Sequence, residues 1–268
     1  MIKFGISRQY CSKQIGKYRI VQRIGEGRYG VCFLAEDEEG RRLILKKLKP
    51  RFFKWSKDSD TLEIKILSRL CHPGIPKLLG IVNEKDFYGL VLELKYGDTL
   101  ETMLFKHKRR FSNFEIFNIG QQLIEIVKYL HEKGIVHRDI RIPNVLFNED
   151  MVSLIDFGLA GWEDQRYYVW DIDFAFLGDL LLYLLYSTHK KESYKNRPWY
   201  EELPLTLAQR IFLKRLLKLA EPYRNINDIA ADFREAFAEK NAVLPNELFN
   251  KISLSFSDMP ESLQGFHY

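Results

Sequence analysis

Cysteine is scarce in this chain: there are three, Cys11, Cys32 and Cys71, far apart and without CxxC spacing. This excludes a disulfide framework or a paired-cysteine zinc site and leaves free thiols as the expected state. Long apolar runs are lacking too. The longest, Phe174 to Tyr186, is too short for a bilayer and carries Asp179, so it reads as a buried helix. The stretch MIKFGISRQY at the amino terminus has no continuous apolar core and no small-residue cleavage site, which argues against a secretory signal. There is no internal repeat and no low-complexity tract. These absences leave a globular protein without a transmembrane segment, and a cytoplasmic location is the expectation.

What is present is ample for a core. At 268 residues, with 46% hydrophobic and 14% aromatic content, the chain can form two modest lobes or one large domain. The net charge of +5 is unevenly spread, with a strong basic excess before residue 58 and an acidic balance after it. A basic face of this kind attracts phosphates, anionic lipid or nucleic acid. A solvated surface on a lobe that handles a nucleotide is favoured over a dedicated polyanion or anionic-membrane site.

The patterning changes along the chain. From Tyr18 to Leu48, alternating branched and aromatic residues predict three antiparallel strands, with a hairpin at Glu39-Gly40. Lys57 to Leu70 follows a helical period, with Asp58, Ser59 and Asp60 as N-cap candidates, and His72-Pro73-Gly74 stops it. Two further strands are expected over Lys77 to Val82 and Tyr88 to Leu94. Helices are then expected over Thr99 to His107, Asn113 to Lys133 with Gly134 as its cap, Ile172 to Ser187, Thr206 to Leu219 and Ile226 to Lys240. A tail follows from Asn241.

The chemistry concentrates at HRDIRIPN, residues 137 to 144, and at Asp156-Phe157-Gly158. An Asp five residues before an Asn, with a second Asp seventeen residues after the first, can orient a hydroxyl nucleophile and hold a hard cation on oxygen ligands. Ile24-Gly25-Glu26-Gly27-Arg28-Tyr29-Gly30 is a GxGxxG stretch lying between two strands, so its glycines suit a hairpin that lets backbone approach phosphates. Lys46 ends a strand and Glu63 lies in the next helix. Such a lysine meets phosphates when a carboxylate from a neighbouring helix holds it.

Taken in this order, the motifs resemble those of the eukaryotic-like (Hanks-type) protein kinases, in a small, bacterial-style form. GEGRYG is similar to the phosphate loop, LILK ending at Lys46 to the lysine strand, and EIKILSRL from Glu63 to the regulatory helix. VLEL resembles the hinge, HRDIRIPN the catalytic loop, DFGLA the metal motif, and the run from Asp173 to Gly178 the central helix of the second lobe. The resemblance implies an α+β, two-lobed fold. Residues 1 to 94 would form an N-lobe with a five-stranded antiparallel sheet and one helix, and residues 95 to 268 a mainly helical C-lobe.

It further implies ATP with magnesium, or alternatively manganese, as cofactors, and protein substrates as partners. Asp139 would orient the attacking hydroxyl, Asn144 and Asp156 would hold the metal, Lys46 the phosphates, and Glu63 would position Lys46. Arg141 would neutralise the transferring phosphate. Ile24, Gly25, Glu26, Gly27, Gly30 and Cys32 would cover the nucleotide, with Leu92 at the gatekeeper position and Glu93 to Lys95 at the adenine edge. His137 is expected to be a packed structural histidine, and Asp173 a buried acceptor for the catalytic-loop backbone.

Departures shape the expected activity. Arg141 stands where Ser/Thr kinases commonly have Lys, and Cys32 where the family usually has Val. Only sixteen residues separate Asp156 from Asp173, with no APE and no Ser or Thr among them, leaving Tyr167 and Tyr168 as hydroxyls. The expected activity is therefore Ser/Thr-directed protein phosphorylation that does not require phosphorylation of this segment. A kinase-like small-molecule phosphotransferase and a catalytically silent scaffold are the alternatives, the latter disfavoured because Lys46, Glu63, Asp139, Asn144 and Asp156 are all present.

Overall fold

The amino-terminal sheet is built from strands whose side chains alternate between two apolar surfaces. In the computed structural model, which describes residues 13–49, 59–84, 86–164, 166, 169–189 and 197–238, its strands are β1 (Gln14–Ile15), β2 (Tyr18–Glu26), β3 (Gly30–Glu36), β4 (Arg42–Leu48), β5 (Leu78–Glu84) and β6 (Phe87–Glu93). Their order is β1-β2-β3-β4-β6-β5, with every neighbour antiparallel. The sheet has one strand more than the five expected: β1 is a two-residue hairpin arm that pairs Gln14 with Arg19 and Ile15 with Tyr18. Asp58, Cys11, Tyr167, Tyr168 and the tail from residue 241 lie outside the described residues.

The alternation in β4 places its side chains on two faces. Leu43 and Leu45 join Ile20, Phe33, Val82 and Val91 in a separate outer core. Lys46 and Leu48 lie on the opposite face, and Leu48 packs into the main core with Ile66 and Leu67 of helix α1 (Ser59–Leu67) and with Leu90. The helix expected from Lys57 to Leu70 is therefore present but shorter at its carboxyl end.

The second lobe is organised around α2 (Asn113–Glu132). Ser112 caps it reciprocally with Glu115, and Gly134, at φ +70°, follows its last turn with a bond from its N–H to the His131 carbonyl of 2.9 Å. Ile116, Ile119, Leu123, Ile124, Val127 and Leu130 are buried along one stripe. Burial on this scale stabilises by roughly 1.5–3 kcal/mol per large apolar side chain. The other helices are α3 (Trp170–Tyr186), the short α4 (Trp199–Glu202), α5 (Leu207–Leu216) with the capping pair Thr206 and Gln209, and α6 (Ile226–Phe237). Gly120 lets α6 approach α2 closely, since a Cβ there would lie 2.3 Å from Cζ of Phe233.

The segment expected to be helical from Thr99 to His107 is different. Asp98–Thr99 forms strand β7, paired with Phe147 and Leu146 of β9 (Val145–Asn148), and Thr102–Lys106 forms a π-helical turn. The Thr99 hydroxyl accepts from the Thr102 N–H at 3.1 Å, as a helix cap does, and the His107 N–H reaches back five residues to the Thr102 carbonyl at 3.0 Å, which makes the turn π rather than α. Strand β9 also pairs with β10 (Met151–Leu154), and β8 (Ile135–Val136) pairs with β11 (Gly161–Trp162). These short ladders frame the two loops that carry the chemistry.

Candidate active site

Burying a lysine is costly unless opposite charges receive it. The Lys46 ammonium, only 4% exposed, lies 2.6 Å from Oε1 of Glu63 on α1 and 2.8 Å from Oδ1 of Asp156. Burial alone would lower its pKa, but the two carboxylates more than reverse this and hold it protonated. Burial would likewise raise the Asp156 carboxyl, yet Lys46 brings it below its ordinary value. Three elements distant in sequence thus meet at one cation.

The catalytic loop is held from beneath by one fully buried carboxylate. Asp173, on the first turn of α3, accepts from the N–H of His137 at 2.9 Å and of Arg138 at 2.7 Å, and lies 3.0 Å from Nε2 of His131. This is the backbone-clamping acceptor expected from the sequence; the His131 contact has no counterpart among the sequence expectations. Arg138 and Asp156 both have positive φ, +64° and +63°, a conformation that costs about 1–3 kcal/mol for a non-glycine residue and persists where surroundings over-determine it. His137 is fully buried, edge-on to Phe157 with ring centroids 4.7 Å apart, and burial lowers its pKa. It has the packed, structural setting expected.

Above this floor, Asp139 is nearly buried and receives donors from two sides. Asn144 Nδ2 donates to its carbonyl at 3.0 Å and to Oδ2 at 2.6 Å. Arg141 grips the same carboxylate through Nε to Oδ1 and through Nη2 to Oδ2 at 3.1 Å. The hydrogen bond to Asp139 raises the guanidinium pKa. In this structure Arg141 therefore faces Asp139 itself, a contact its position in the motif does not announce.

The glycine loop links β2 to β3 as expected. Gly30 lies tight against β4, where a Cβ would be 2.6 Å from the Lys47 carbonyl oxygen, and the Gly27 N–H donates to the Gly30 carbonyl at 2.9 Å. Lys49 supports the tip by donating to the Gly27 carbonyl at 2.9 Å and pairing with Glu26 at 2.6 Å, which lowers the Glu26 pKa. Tyr29, from the tip, reaches the turn after Asp156: a Cβ on Gly158 would lie 3.3 Å from its Cδ2 and 3.4 Å from Nζ of Lys46. Ile24 is exposed beside this loop. Cys32 pairs in register with Lys46, and burial pushes its thiol up to about 11, so it is a packing group rather than a nucleophile.

At the expected adenine edge, Leu92 is half-buried against the main core. Glu93 closes β6, its N–H donating to the Lys77 carbonyl at 2.9 Å, and its carboxylate receives Lys95 at 2.8 Å. The Lys95 ammonium also reaches the Pro73 carbonyl at 2.8 Å. Downstream of Asp156, β11 pairs with β8 and the Glu163 N–H donates to the Gly134 carbonyl at 2.8 Å. Arg224 is exposed and pairs with Glu221 at 3.3 Å on its own loop.

Comparisons with known proteins agree with this geometry. Residues 18–171 match the family described as protein kinase domain. A protein of Bacillus subtilis (strain 168) named probable serine/threonine-protein kinase YbdM is 36% identical over 231 residues, which cover 82% of this chain and 89% of that protein. Cyclin-dependent kinase F-3 of Oryza sativa subsp. japonica is 32% identical over 145 residues, 54% of this chain and 33% of its own length. The PAS domain-containing serine/threonine-protein kinase of Mus musculus is 35% identical over 159 residues, 56% of this chain and 11% of its own length.

Proposed function

The chain belongs to the protein kinase domain family, and from that premise we propose how its residues carry out ATP-dependent phosphorylation of protein serine and threonine hydroxyls. The observation that carries the reading is the Lys46 ammonium joined to both Glu63 and Asp156. With that bridge intact, a strand cation and a loop carboxylate face the same space, where the phosphates and metal of a nucleotide would sit.

Asp156 and Asn144 are the residues that would hold the metal, and their donor set fits magnesium. Asn144 engages Nδ2 with Asp139, which leaves its amide oxygen as the donor it would offer together with the Asp156 carboxylate. Among the described residues no cluster of three His, Cys, Asp or Glu could form a cage of its own. One carboxylate and one amide, completed by substrate phosphates and water, is the arrangement magnesium favours; manganese would use the same oxygens. When bound, the metal would neutralise charge on the β- and γ-phosphate oxygens.

The remaining roles belong to the chain. Lys46, positioned by Glu63, binds the α- and β-phosphates, while the loop of Gly25, Glu26, Gly27 and Gly30 covers them with Ile24 and Cys32 above the base. Leu92 bounds the rear of the adenine site, and the backbone of Glu93 to Lys95 reads its edge. Asp139 receives the proton of the attacking hydroxyl as its oxygen bonds the γ-phosphorus and the bridging oxygen leaves with ADP. Arg141, already beside Asp139, turns its fork to the transferring phosphoryl group and stabilises its charge.

The relatives are named as protein kinases, which does not favour a small-molecule phosphotransferase. A complete set of Lys46, Glu63, Asp139, Asn144 and Asp156 argues against a silent scaffold. Among the described residues no helix is long and apolar enough to cross a membrane, and the proposed setting is the cytoplasm. Gly161 and Trp162 pair with β8, and the segment after Asp156 contains no Ser or Thr, so activity is proposed not to require phosphorylation there.

The test is transfer of labelled phosphate from ATP to the protein itself, to casein and to histone, with magnesium and with chelator, followed by phosphoamino-acid analysis. Phosphoserine or phosphothreonine formed only with the metal is expected, and Asp156→Ala should abolish it while the fold persists. Retained turnover in Asp156→Ala would overturn the metal assignment. Loss of activity in a Tyr167→Phe, Tyr168→Phe double variant would overturn the independence from segment phosphorylation.

A further inference from the structure

Beyond the catalytic cleft, the C-lobe carries a groove of about 480 Å³ between the π-helical turn Thr102–Lys106 and the carboxyl end of α3. Its walls are aromatic. Phe105 and Tyr183 meet edge to face with centroids 6.2 Å apart, yet remain 62% and 49% exposed, so the pair stacks without being covered. Leu104 and Tyr186 line it further in, and Lys108 and Arg110 stand at its rim. We propose that this groove docks an acidic segment of the protein substrate, one that carries a bulky apolar side chain among its carboxylates. The proposal rests on the protein-kinase reading and extends it to how a substrate is held.

The charge balance around the groove supports that occupant. Three of the nearby acids have partners: Glu115 pairs with Arg109 at 2.6 Å, Asp98 faces His107 at 3.5 Å, and Glu202 receives the Tyr186 hydroxyl at 2.9 Å, with His189 3.7 Å away, while Glu101 and Asp179, four residues before Phe105 and Tyr183, are exposed without an ion pair among the described residues. Arg109 is further engaged over the rings of Phe111 and Phe147, so it is part of the fold. Lys106, Lys108 and Arg110 make no ion pair among the described residues, and all three are exposed. Among the described residues, the three unpaired basic side chains outnumber these two acids, so the rim carries a net positive charge around exposed aromatic rings.

Aromatic side chains and arginine are the residue types enriched where proteins bind proteins, and exposed apolar surface ringed by polar groups marks such sites. Opposite charge on the partner would steer its approach and fix its register. The concavity suits an inserted side chain better than a flat bilayer surface, and a kinase of proteins already has a protein to hold. Acidic protein is therefore the occupant to which these observations point.

The test uses fluorescein-labelled dephosphorylated casein as an acidic protein probe and histone as a basic one. Binding is read by anisotropy without nucleotide, and turnover by phosphate transfer. Lys108→Glu with Arg110→Glu inverts the rim, and Tyr183→Ser alone removes one wall while keeping the charge. The charge variant should weaken casein binding and raise its KM about tenfold, with kcat and the KM for ATP within about twofold of the wild type. Tyr183→Ser should weaken casein binding without altering its salt dependence. Histone should not lose affinity in either variant.

Unchanged casein binding in both variants, or a wild-type protein that does not bind casein, would overturn the proposal. So would unchanged casein binding accompanied by charge-dependent loss of binding to phosphatidylserine vesicles or RNA. If casein binds in the expected rim-dependent way but no protein hydroxyl is phosphorylated, docking stands and the kinase reading fails. If transfer proceeds equally well in all variants, the kinase reading stands and docking fails.

Discussion

Arg69 lies over the indole of Trp162, its guanidinium carbon 5.0 Å from the ring centroid. Arg69 follows α1, the helix that carries Glu63, and Trp162 sits in β11, downstream of Asp156. The contact joins the helix whose Glu63 pairs with Lys46 to the segment that follows Asp156. In a chain with no Ser or Thr in that segment, this ring contact is available as a permanent tie.

Breaking the tie should slow catalysis without unfolding the protein. A cation–π contact contributes about 0.5–2 kcal/mol, so Arg69→Gln or Trp162→Leu should each lower turnover about two- to thirtyfold. The double variant should be no slower than the worse single one. Additive losses in the double-mutant cycle would show that the two residues act separately.

Removing Lys46 should affect folding and turnover through different partners. Lys46→Met leaves the buried Glu63 carboxylate facing Asp156 without its cation, a loss of about 3–5 kcal/mol. Adding Glu63→Leu should recover most of that stability, because two charges have been replaced by apolar groups. It should not recover phosphate transfer. Denaturant midpoints and turnover, measured on the same samples, separate the two effects.

Arg141 should contribute to rate rather than to nucleotide affinity. Its charge-assisted bonds are worth about 1.5–3 kcal/mol, so Arg141→Ala should reduce kcat about 10- to 100-fold with a small change in the KM for ATP. Arg141→Lys should recover only part of this, since an ammonium cannot reproduce the two-point grip on Asp139. A larger effect on KM than on kcat would place Arg141 in ground-state binding.

Acid should weaken the fold through histidine. Burial lowers the pKa of His137, and burial with Lys95 lowers that of His72. Each group binds more protons when unfolded, so stability is complete above the unfolded value of about 6.5 and declines as pH falls below it. The acidic groups facing His137 are Asp173, Asp156 and Asp139, which oppose the shift but do not cancel it. Urea unfolding at successive pH values should show that slope, and His137→Gln with His72→Gln should flatten it. An unchanged slope in the double variant would assign the acid sensitivity elsewhere.

The elements legible in the sequence are those with many residues in phase. The stripe of Leu123, Ile124, Val127 and Leu130 announces α2, and β2 to β6 alternate strongly enough to be placed. Two-residue ladders such as β1 and β8–β11 have no period to detect, so they appear only when the chain folds back on itself. The turn at Thr102–Lys106 departs from the expected helix in the reach of its backbone bond, five residues from His107 to Thr102, which apolar periodicity does not register. The motifs single out Lys46, Glu63 and Asp156, which the fold brings together, yet the Arg141–Asp139 grip and the Arg69–Trp162 contact depend on rotamer and distance rather than order. The groove beside Phe105 is invisible in the sequence for the same reason.

Asp173 has no exposure to solvent, and both backbone amides it holds belong to the loop that presents Asp139. Releasing that loop would leave a fully buried carboxylate without its two backbone donors and with only His131 beside it, so local loosening of the loop is strongly unfavourable. Heat inactivation should then coincide with global melting, leaving no appreciable window in which the lobe is folded and its catalytic loop has come free.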